Sequence, residues 1–344
     1  MKTYYSPKHR LRQPKAELHD GQWVPSFESP ERMDHILEAL KARGLDEPLE
    51  PGGYGMDPVL AVHDADYIEF LASVWERWVA KGHQGDAVPN IWPARTLRDI
   101  RPQAIEAQLG YYALASDTTL TEGTWQAALA AKDVTLAATE AVLAGDSSAF
   151  ALCRPPGHHA SSSQFGGYCF LNNAVIAAQY ARDHGKQRVA VLDVDFHHGN
   201  GTQEIFYRRN DVFTTSLHGD PEHAFPFFLG RADETGAGAG EGFNLNLPLP
   251  NGTTYRAWAD ALETALTAIE DFGAELLVVS LGVDTFENDP ISLFKLTSDD
   301  FSDYGKRLGR LGLPTVFVME GGYAVAEIGT NTVNVLAGFN AERG

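Results

Sequence analysis

The chain has 344 residues, of which 44% are hydrophobic and 21% charged, a composition typical of a globular protein with a large core. Its 27 Lys and Arg against 46 Asp and Glu give a net charge of −19, which argues against nucleic-acid binding and favours cationic small molecules or peptides as ligands. No apolar run approaches the roughly 18 residues that cross a bilayer, so no membrane span is expected.

The organisation of the chain is predicted to be simple. The opening residues contain no hydrophobic stretch, so we expect no signal peptide. The 2 cysteines, Cys153 and Cys169, imply no disulfide framework and favour a reducing, cytoplasmic compartment. Because no repeat or linker divides the sequence, we expect one domain over residues 1–344. Residues 80–103 are rich in Pro, Gly and charge, which predicts a long inserted loop.

Caps and stop signals predict four helices. The first follows Ser29 and Pro30 and ends before Gly44, and the others span residues 125–144, 173–184 and 255–272. Short apolar runs alternate with these helices at residues 149–153, 189–194, 212–217, 276–281 and 315–319. Their length and β-branching favour strands over buried helix segments. The predicted fold is therefore α/β, with a central, mostly parallel sheet covered by helices on both faces.

A polar cluster follows each predicted strand. The carboxyl ends of parallel strands meet at one edge of a sheet, where ligands bind. We therefore expect one site there, built from His158, His159, Asp193, Asp195, His197, His198, His218, Asp284 and Tyr323.

Three of these residues form a candidate metal site. Asp195 and His197 are two positions apart just past a strand, so both side chains point to the same side. With Asp284 they make a set of two carboxylates and one imidazole, which suits Zn²⁺ and leaves a coordination position free for water. Either aspartate alone is explained equally well as the cap of a following helix or as a metal ligand. The three residues together favour a catalytic metal site.

The other candidates supply acid–base groups. The adjacent imidazoles of His158 and His159 cannot both stay protonated cheaply, so their pKa values should split, one accepting a proton while the other donates. Tyr323, after a Gly-Gly pair, is placed to donate its hydroxyl to a developing oxyanion. Together with the metal, these groups predict hydrolysis of a carbonyl compound.

Several segments then carry a resemblance to a known family, namely RPPGHHA, GGYCFLNNA, VAVLDVDFHHGNGTQEIF, SLHGD, SLGVDTFENDP and EGGY. In this order they strongly resemble the zinc-dependent histone deacetylase superfamily and its arginase–deacetylase fold, over residues 10–335. The inserted loop and the segment AELHDGQWVPSFESPER most resemble the bacterial acetylpolyamine amidohydrolase branch. The resemblance implies removal of acetyl groups from acetylated polyamines or similar small cationic amines. The alternative is an acetyl-lysine deacetylase of proteins and peptides.

The resemblance also implies roles for individual residues. One Zn²⁺ per chain would be held by Asp195, His197 and Asp284, with His159 as general base, His158 as electrostatic or acid partner and Tyr323 as oxyanion donor. One or two structural K⁺ sites are implied as well. The first would use the side chains of Asp193 and Ser216 and the carbonyls of Asp195, His197 and Leu217, and the second the carbonyls of Phe206, Arg209, Val212 and Phe243.

The substrate tunnel is expected to have walls formed by Tyr168 and Phe225, with Gly167 allowing close approach of a linear alkylamide. Acidic residues implied near its mouth are Glu17, Glu106 and Asp117, although Asp117 is shorter than the glutamate expected there. Asn200 stands where class I members of the superfamily place an acidic residue, which predicts a lower pKa for His159. The inserted loop is implied to form a homodimer interface and to narrow access to the tunnel.

Two further readings are disfavoured. A non-catalytic metal sensor on the same scaffold would have a broken site, whereas the ligands, the histidine pair and the tyrosine are all present here. An arginase-like pair of manganese ions would need several more bridging carboxylates.

Overall fold

The computed structural model of the protein describes residues 1–45, 47–94, 96 and 98–343. Residues 95 and 97 of the predicted insertion lie outside the described residues, as do residues 46 and 344. The strands are β1 (Lys2–Tyr5), β2 (Glu17–His19), β3 (Gln22–Val24), β4 (Ser148–Leu152), β5 (Val189–Asp193), β6 (Val212–Gly219), β7 (Asn244–Leu249), β8 (Leu276–Leu281) and β9 (Thr315–Met319). The helices are α1 (Glu31–Ala42), α2 (Asp57–Leu60), α3 (Ala65–Ala80), α4 (Ile105–Tyr111), α5 (Thr124–Leu143), α6 (Asn173–Asp183), α7 (Asn200–Phe206), α8 (Tyr255–Phe272), α9 (Ser298–Arg310) and α10 (Val325–Arg343).

A seven-stranded sheet in the order β1-β4-β9-β8-β5-β6-β7 organises the molecule. Every pairing in it is parallel, and β2 and β3 form a separate antiparallel hairpin. Every residue of β4, β5, β6, β8 and β9 is buried. Because successive side chains of a strand point to opposite faces, both faces of this central part are covered. The predicted α/β architecture is confirmed.

The helices pack around the sheet. Helices α5 and α6 lie against strands that include β4, β5 and β9, and α8 lies against β6 and β7. Helix α8 ends at Gly273, whose left-handed backbone (φ 70°) stops the helix as its sequence position predicts. Helices α9 and α10 pack against each other, and α1 packs against α10.

Some elements differ from the sequence-based expectation. Strand β6 continues to Gly219, so His218 lies within a strand instead of after it. The edge strands β1 and β7 were not predicted, because both are partly exposed and neither forms a continuous apolar run. Helix α9 was also missed, since only Phe301, Tyr304 and Leu308 give it an apolar stripe.

The predicted insertion connects α3 to α4 and packs on α4. The Trp92 indole N–H donates to the Ala113 carbonyl at 3.0 Å. At Gly110, in α4, an added Cβ would lie 1.6 Å from the Ile91 carbonyl oxygen, so glycine is what lets the loop approach the helix. None of the helices in the described part of the chain has the length and apolarity needed to span a membrane.

Candidate active site

The carboxyl edge of the sheet borders a cavity of about 330 Å³. Segments that are far apart in the sequence meet there, as expected for the edge of a parallel sheet. Predicted site residues on its wall are Asp117, His159, Gly167, Tyr168, His197, Phe225 and Tyr323. The cavity therefore gathers seven predicted residues around one space, with aromatic, imidazole and carboxylate groups among them.

The three predicted metal ligands converge beside this cavity. Ligand atoms of Asp195, His197 and Asp284 all lie within 4.8 Å of one another. The Nδ1 atom of His197 lies 2.9 Å from an Asp284 oxygen and 3.3 Å from an Asp195 oxygen. Both carboxyl groups are fully buried, and His197 reaches the cavity wall. Two carboxylates and one imidazole nitrogen around one point fit a divalent cation such as Zn²⁺.

Backbone amides hold these carboxylates in place. The Gly321 N–H donates to Asp195 at 2.8 Å, and the Phe196 N–H donates to Asp284 at 2.7 Å. Burial alone would lower the pKa of His197, but its hydrogen bonds to the two carboxyl groups raise it to about 10. Burial and the nearby Asp195 charge raise the pKa of Asp284 to about 8. Without a metal, protons therefore occupy this cluster near neutral pH.

The adjacent histidines are held by different partners. His158 Nδ1 lies 2.9 Å from an Asp193 carboxylate oxygen, and His159 Nδ1 lies 2.7 Å from the Asn200 side-chain oxygen. Burial would lower the pKa of His158, but the charges of Asp193 and Asp195 raise it to about 10. Burial and the neighbouring His158 hold the pKa of His159 well below its usual value. The pKa values of the two histidines therefore shift in opposite directions, with that of His159 lowered as the neutral Asn200 predicts. His159 is thus the one of the two that is neutral and able to accept a proton.

A glycine lets the second histidine pack against the tunnel wall. Gly167 has a left-handed backbone (φ +52°), and an added Cβ would lie 2.2 Å from Cδ2 of His159. We expect Gly167→Ala to lower stability by about 1–3 kcal/mol and to reduce kcat, because the methyl group would displace the imidazole. Thermal unfolding and initial rates measure both effects. Gly44→Ala is the matched control, since Gly44 has a similar φ of +68° with nothing within 4 Å. Equal kcat values for the two variants would contradict this account.

Tyr323 lines the same cavity as His159. Its ring packs edge-on against Tyr168 with centroids 5.6 Å apart, and its backbone N–H donates to Asp289 at 2.7 Å. Burial raises the pKa of the Tyr323 phenol well above its ordinary value, so the group stays protonated. A protonated hydroxyl at the cavity wall is able to donate a hydrogen bond.

Tyr168 and Phe225 form the aromatic part of the wall. Tyr168 adopts a left-handed backbone (φ 67°), and its N–H donates to the Thr118 hydroxyl at 2.8 Å. The Tyr168 hydroxyl donates to Glu17 at 2.8 Å. Phe225 meets the His159 ring edge-on, with centroids 5.0 Å apart. The aromatic wall and His159 therefore contact each other directly.

The predicted acidic residues occupy three different environments. Asp117 lies on the cavity wall, where burial raises the pKa of its carboxyl group. Glu17 is only 1% exposed and lies behind Tyr168 instead of on the wall. Glu106 is not among the wall residues either, and its carboxylate pairs with Lys81 at 2.9 Å and His83 at 2.7 Å. Within one chain, Asp117 is thus the predicted acid that faces the cavity.

The residues expected to hold potassium lie beside the predicted metal ligands. Asp193 on β5 is paired in register with Ser216 on β6, and Leu217 follows it in the buried strand. The Ser216 hydroxyl is 2.8 Å from His218 Nδ1. His218 is also 2.8 Å from the Gly230 carbonyl, and His198 contacts Gln203 at 3.1 Å. These two histidines belong to a buried network and not to the cavity wall.

Some contributors were not assigned from the sequence. Asp289 accepts the N–H groups of Tyr323 and Ala324, but an aspartate before proline reads only as a turn residue. Glu320 accepts the N–H groups of Gly157 at 2.6 Å and His158 at 3.2 Å. With His158 and Cys169 it forms a second buried group whose ligand-type atoms lie within 4.8 Å of one another. The sequence signal that could have identified Glu320 was its position in the EGGY segment, directly before the glycines that precede Tyr323.

Comparisons with known proteins agree with this arrangement. The sequence pattern of the family described as "Histone deacetylase domain" matches residues 26–339. The protein belongs to the histone deacetylase family. This membership confirms the resemblance inferred from the motifs.

Relatives of this histone deacetylase family member match it over nearly the full length. It is 52% identical to the acetylpolyamine amidohydrolase of Mycoplana ramosa, covering 98% of this chain and 99% of that protein. It is also 52% identical to acetylpolyamine amidohydrolase 1 of Pseudomonas aeruginosa, covering 98% and 99%. The crystal structure of acetylpolyamine aminohydrolase from Burkholderia pseudomallei is similar with a TM-score of 0.95, at 41% identity and full coverage of both chains.

Proposed function

We propose that the protein is a zinc-dependent amidohydrolase that removes acetyl groups from acetylated polyamines or similar small cationic amines. The observation that carries this proposal is the convergence of three ligand-type residues, two histidines with opposite pKa shifts and a tyrosine around one cavity. Relatives that are named acetylpolyamine amidohydrolases match it from end to end, which favours this substrate class over acetyl-lysine in proteins.

In this proposal Asp195, His197 and Asp284 hold one Zn²⁺. When bound, the ion supplies Lewis acidity, which polarises the amide carbonyl and makes water a stronger acid. The chain supplies the proton transfers and the hydrogen bonds that orient the substrate.

His159 is the general base. Asn200 offers its side-chain oxygen to Nδ1, so the Nδ1–H tautomer is favoured and Nε2 is left free to accept a proton from water. His158, whose charge is stabilised by Asp193, remains an imidazolium and is able to donate a proton to the leaving amine. The starting states are restored when His159, whose ring lies 4.0 Å away, gives up the proton that it took from water and His158 is protonated again. The Tyr323 hydroxyl donates a hydrogen bond to the oxygen of the acetyl group as negative charge develops there.

The substrate class follows from charge and shape. The cavity is lined by aromatic rings and by the carboxyl groups of Asp117 and Asp20, and the chain carries a net charge of −19. Such a site attracts a slender cation and offers its alkyl chain apolar walls.

The deciding experiment is a panel of acetylputrescine, acetylcadaverine, acetylspermidine and acetyl-lysine peptides, assayed with the zinc-loaded protein. We expect faster turnover of the acetylpolyamines, and a His159→Ala sample controls for contaminating activity. Acetylpolyamines left intact while the peptides are consumed would transfer the assignment to the alternative, an acetyl-lysine deacetylase. No turnover of any amide would end both.

Removing the phenolic oxygen of Tyr323 tests the oxyanion role. We expect Tyr323→Phe to lower kcat by about 10²–10³-fold, the usual effect of losing one oxyanion donor, while zinc stays bound. Metal analysis and steady-state kinetics measure the two quantities. Tyr255→Phe, which removes a hydroxyl bonded to Asp303 elsewhere, is the control and should retain its kcat. Loss of the metal from Tyr323→Phe would show that the hydroxyl has another task.

We also propose a homodimer formed through the inserted loop. Large apolar side chains are exposed on it, with Ile91 62%, Trp92 39% and Ile100 57% accessible to solvent. Residues of this kind at the surface are typical of a buried interface. A second copy of the chain at this loop would narrow access to the cavity.

Sedimentation of Ile91→Glu tests the interface. We expect the mass to fall from two chains to one, because a charge at the centre of an apolar contact is costly to bury. Leu60→Glu, at an exposed leucine of α2 (47% accessible), is the control and should stay dimeric. If Ile91→Glu and wild type have the same mass, the loop is not the interface.

Structural K⁺ completes the proposal. The register pairing of Asp193 on β5 with Ser216 on β6 supports a site that uses their side chains and the neighbouring Leu217 carbonyl. Asp193 would then orient His158 and hold the cation at once.

A reducing, cytoplasmic location is proposed because Cys153 and Cys169 are both free thiols.

A further inference from the structure

Four charged side chains are buried together beneath the loop that carries Tyr323. Three are the guanidinium groups of Arg12, Arg32 and Arg154, and the fourth is the carboxylate of Glu28. Each of the four residues is at most 1% exposed. Buried charges are costly unless they are paired, so this cluster needs an explanation.

Glu28 connects two of the arginines. One of its carboxylate oxygens, Oε1, lies 2.6 Å from Nε of Arg154 and 3.3 Å from Nη1 of Arg32. Arg154 in turn donates to the Glu28 backbone carbonyl at 3.2 Å and to the carbonyls of His9 and Arg12. Glu28 is therefore fixed through both its side chain and its backbone.

Arg32, the second partner of Glu28, also binds the loop that carries Tyr323. Its Nε donates to the Gly322 carbonyl at 2.7 Å, and its Nη2 donates to the Glu320 carbonyl at 2.5 Å. Its guanidinium carbon also lies 5.0 Å from the centroid of the Tyr323 ring. Arg32 thus uses three separate nitrogens, two on this loop and one on Glu28.

The charge of Glu28 also stabilises the third arginine, Arg12. Arg12 lies over the Phe170 ring at 5.0 Å, and its Nε and Nη1 atoms have no hydrogen-bond partner among the residues that the structure describes. Burial lowers the pKa of Arg12 to about 10. Removing the charge of Glu28 would leave the three guanidinium groups repelling one another, and Arg32 would lose its ion pair with Glu28.

We infer that Glu28 is a positioning residue for the reaction, acting through Arg32 to fix the backbone on both sides of Gly321 and so the place of the Tyr323 hydroxyl. This inference rests on the proposed role of Tyr323. Glu28 lies in the FESPER segment, and it touches neither the cavity nor the metal ligands.

A double-mutant cycle tests it. We expect Glu28→Gln to lower kcat by about 10²-fold, the effect typical of a misplaced catalytic group, with little change in KM and one zinc per chain retained. In the Tyr323→Phe background the same substitution should have almost no further effect on kcat, because its target hydroxyl is gone. A residue that only stabilises the fold would lower kcat by the same factor in both backgrounds.

Controls separate folding, function and positioning. Glu28→Asp keeps the charge but shortens the side chain, and it takes the place of Glu28→Gln in the cycle if the latter does not fold. Glu263→Gln breaks the exposed ion pair with Arg307 and should leave kcat unchanged. Wild type that leaves every acetylated amine intact would overturn the proposed function. The positioning role alone would be overturned by either of two results with an active wild type. In the first, Glu28→Gln has the kcat of wild type. In the second, the kcat losses of Glu28→Gln and Tyr323→Phe multiply in the double variant.

Discussion

Removing the metal with a chelator is expected to abolish deacetylation, by at least about 10⁴-fold, and one equivalent of Zn²⁺ should restore it. Binding should also release protons. In the metal-free protein His197, with a pKa of about 10, and Asp284, with a pKa of about 8, both hold protons at pH 7. Because these protons compete with the ion, about two should be released per zinc at pH 7, and zinc affinity should rise with pH up to about 10, most steeply below about 8.

Calorimetry in buffers of different ionisation enthalpy counts the protons, and metal analysis after reconstitution counts the ions. Asp284→Asn serves as the matched variant, since it removes one ligand charge and should release about one proton fewer. Two manganese ions per chain would contradict the single-ion site. Activity that persists after chelation, with less than stoichiometric metal remaining, would contradict metal dependence altogether.

Replacing His159 by alanine is expected to lower kcat by about 10³–10⁴-fold, and replacing His158 to have a clearly smaller effect. The difference follows from their partners, because Asn200 leaves His159 a neutral base while Asp193 keeps His158 protonated. The pH profile provides an independent measurement. A rate that depends on the His158 imidazolium falls as pH rises towards about 10, so this alkaline decline should disappear in His158→Ala.

Zinc content must stay at one per chain in both variants for this comparison to report on proton transfer. His184→Ala, at an exposed histidine whose ring contacts Tyr180 on the surface, should match wild type. Equal losses for His158→Ala and His159→Ala would contradict the assignment of His159 as the base.

The parts of the fold that could be predicted from sequence are those with a local signal. Strands β8 and β9 were predicted with their observed bounds, because each is a fully buried apolar run. The convergence of the three candidate metal ligands could also be anticipated, since Asp195 and His197 follow β5 directly and Asp284 follows β8. Parallel strands bring such positions to one edge whatever lies between them in the chain.

Contacts between distant segments could not be predicted in this way. Glu17 was expected near the tunnel mouth, but it bonds to Tyr168, which is 151 positions away. Arg32 bonds to a carbonyl 290 positions away, at Gly322. Neither contact can be recognised from the periodicity or the spacing of residues in the sequence. A buried acid or arginine becomes recognisable only when the tertiary structure shows what surrounds it.

The hydrogen bond between Glu17 and the Tyr168 hydroxyl has a consequence for redesigning selectivity. Glu17 braces the aromatic wall from behind through the Tyr168 hydroxyl, whereas Asp117 faces the cavity and also accepts the hydroxyl of Thr118, which holds the Tyr168 N–H. Asparagine at position 117 would remove the charge that attracts amines and keep a side-chain oxygen for Thr118. An enzyme for uncharged acetamides is therefore best sought by changing Asp117 while keeping Glu17.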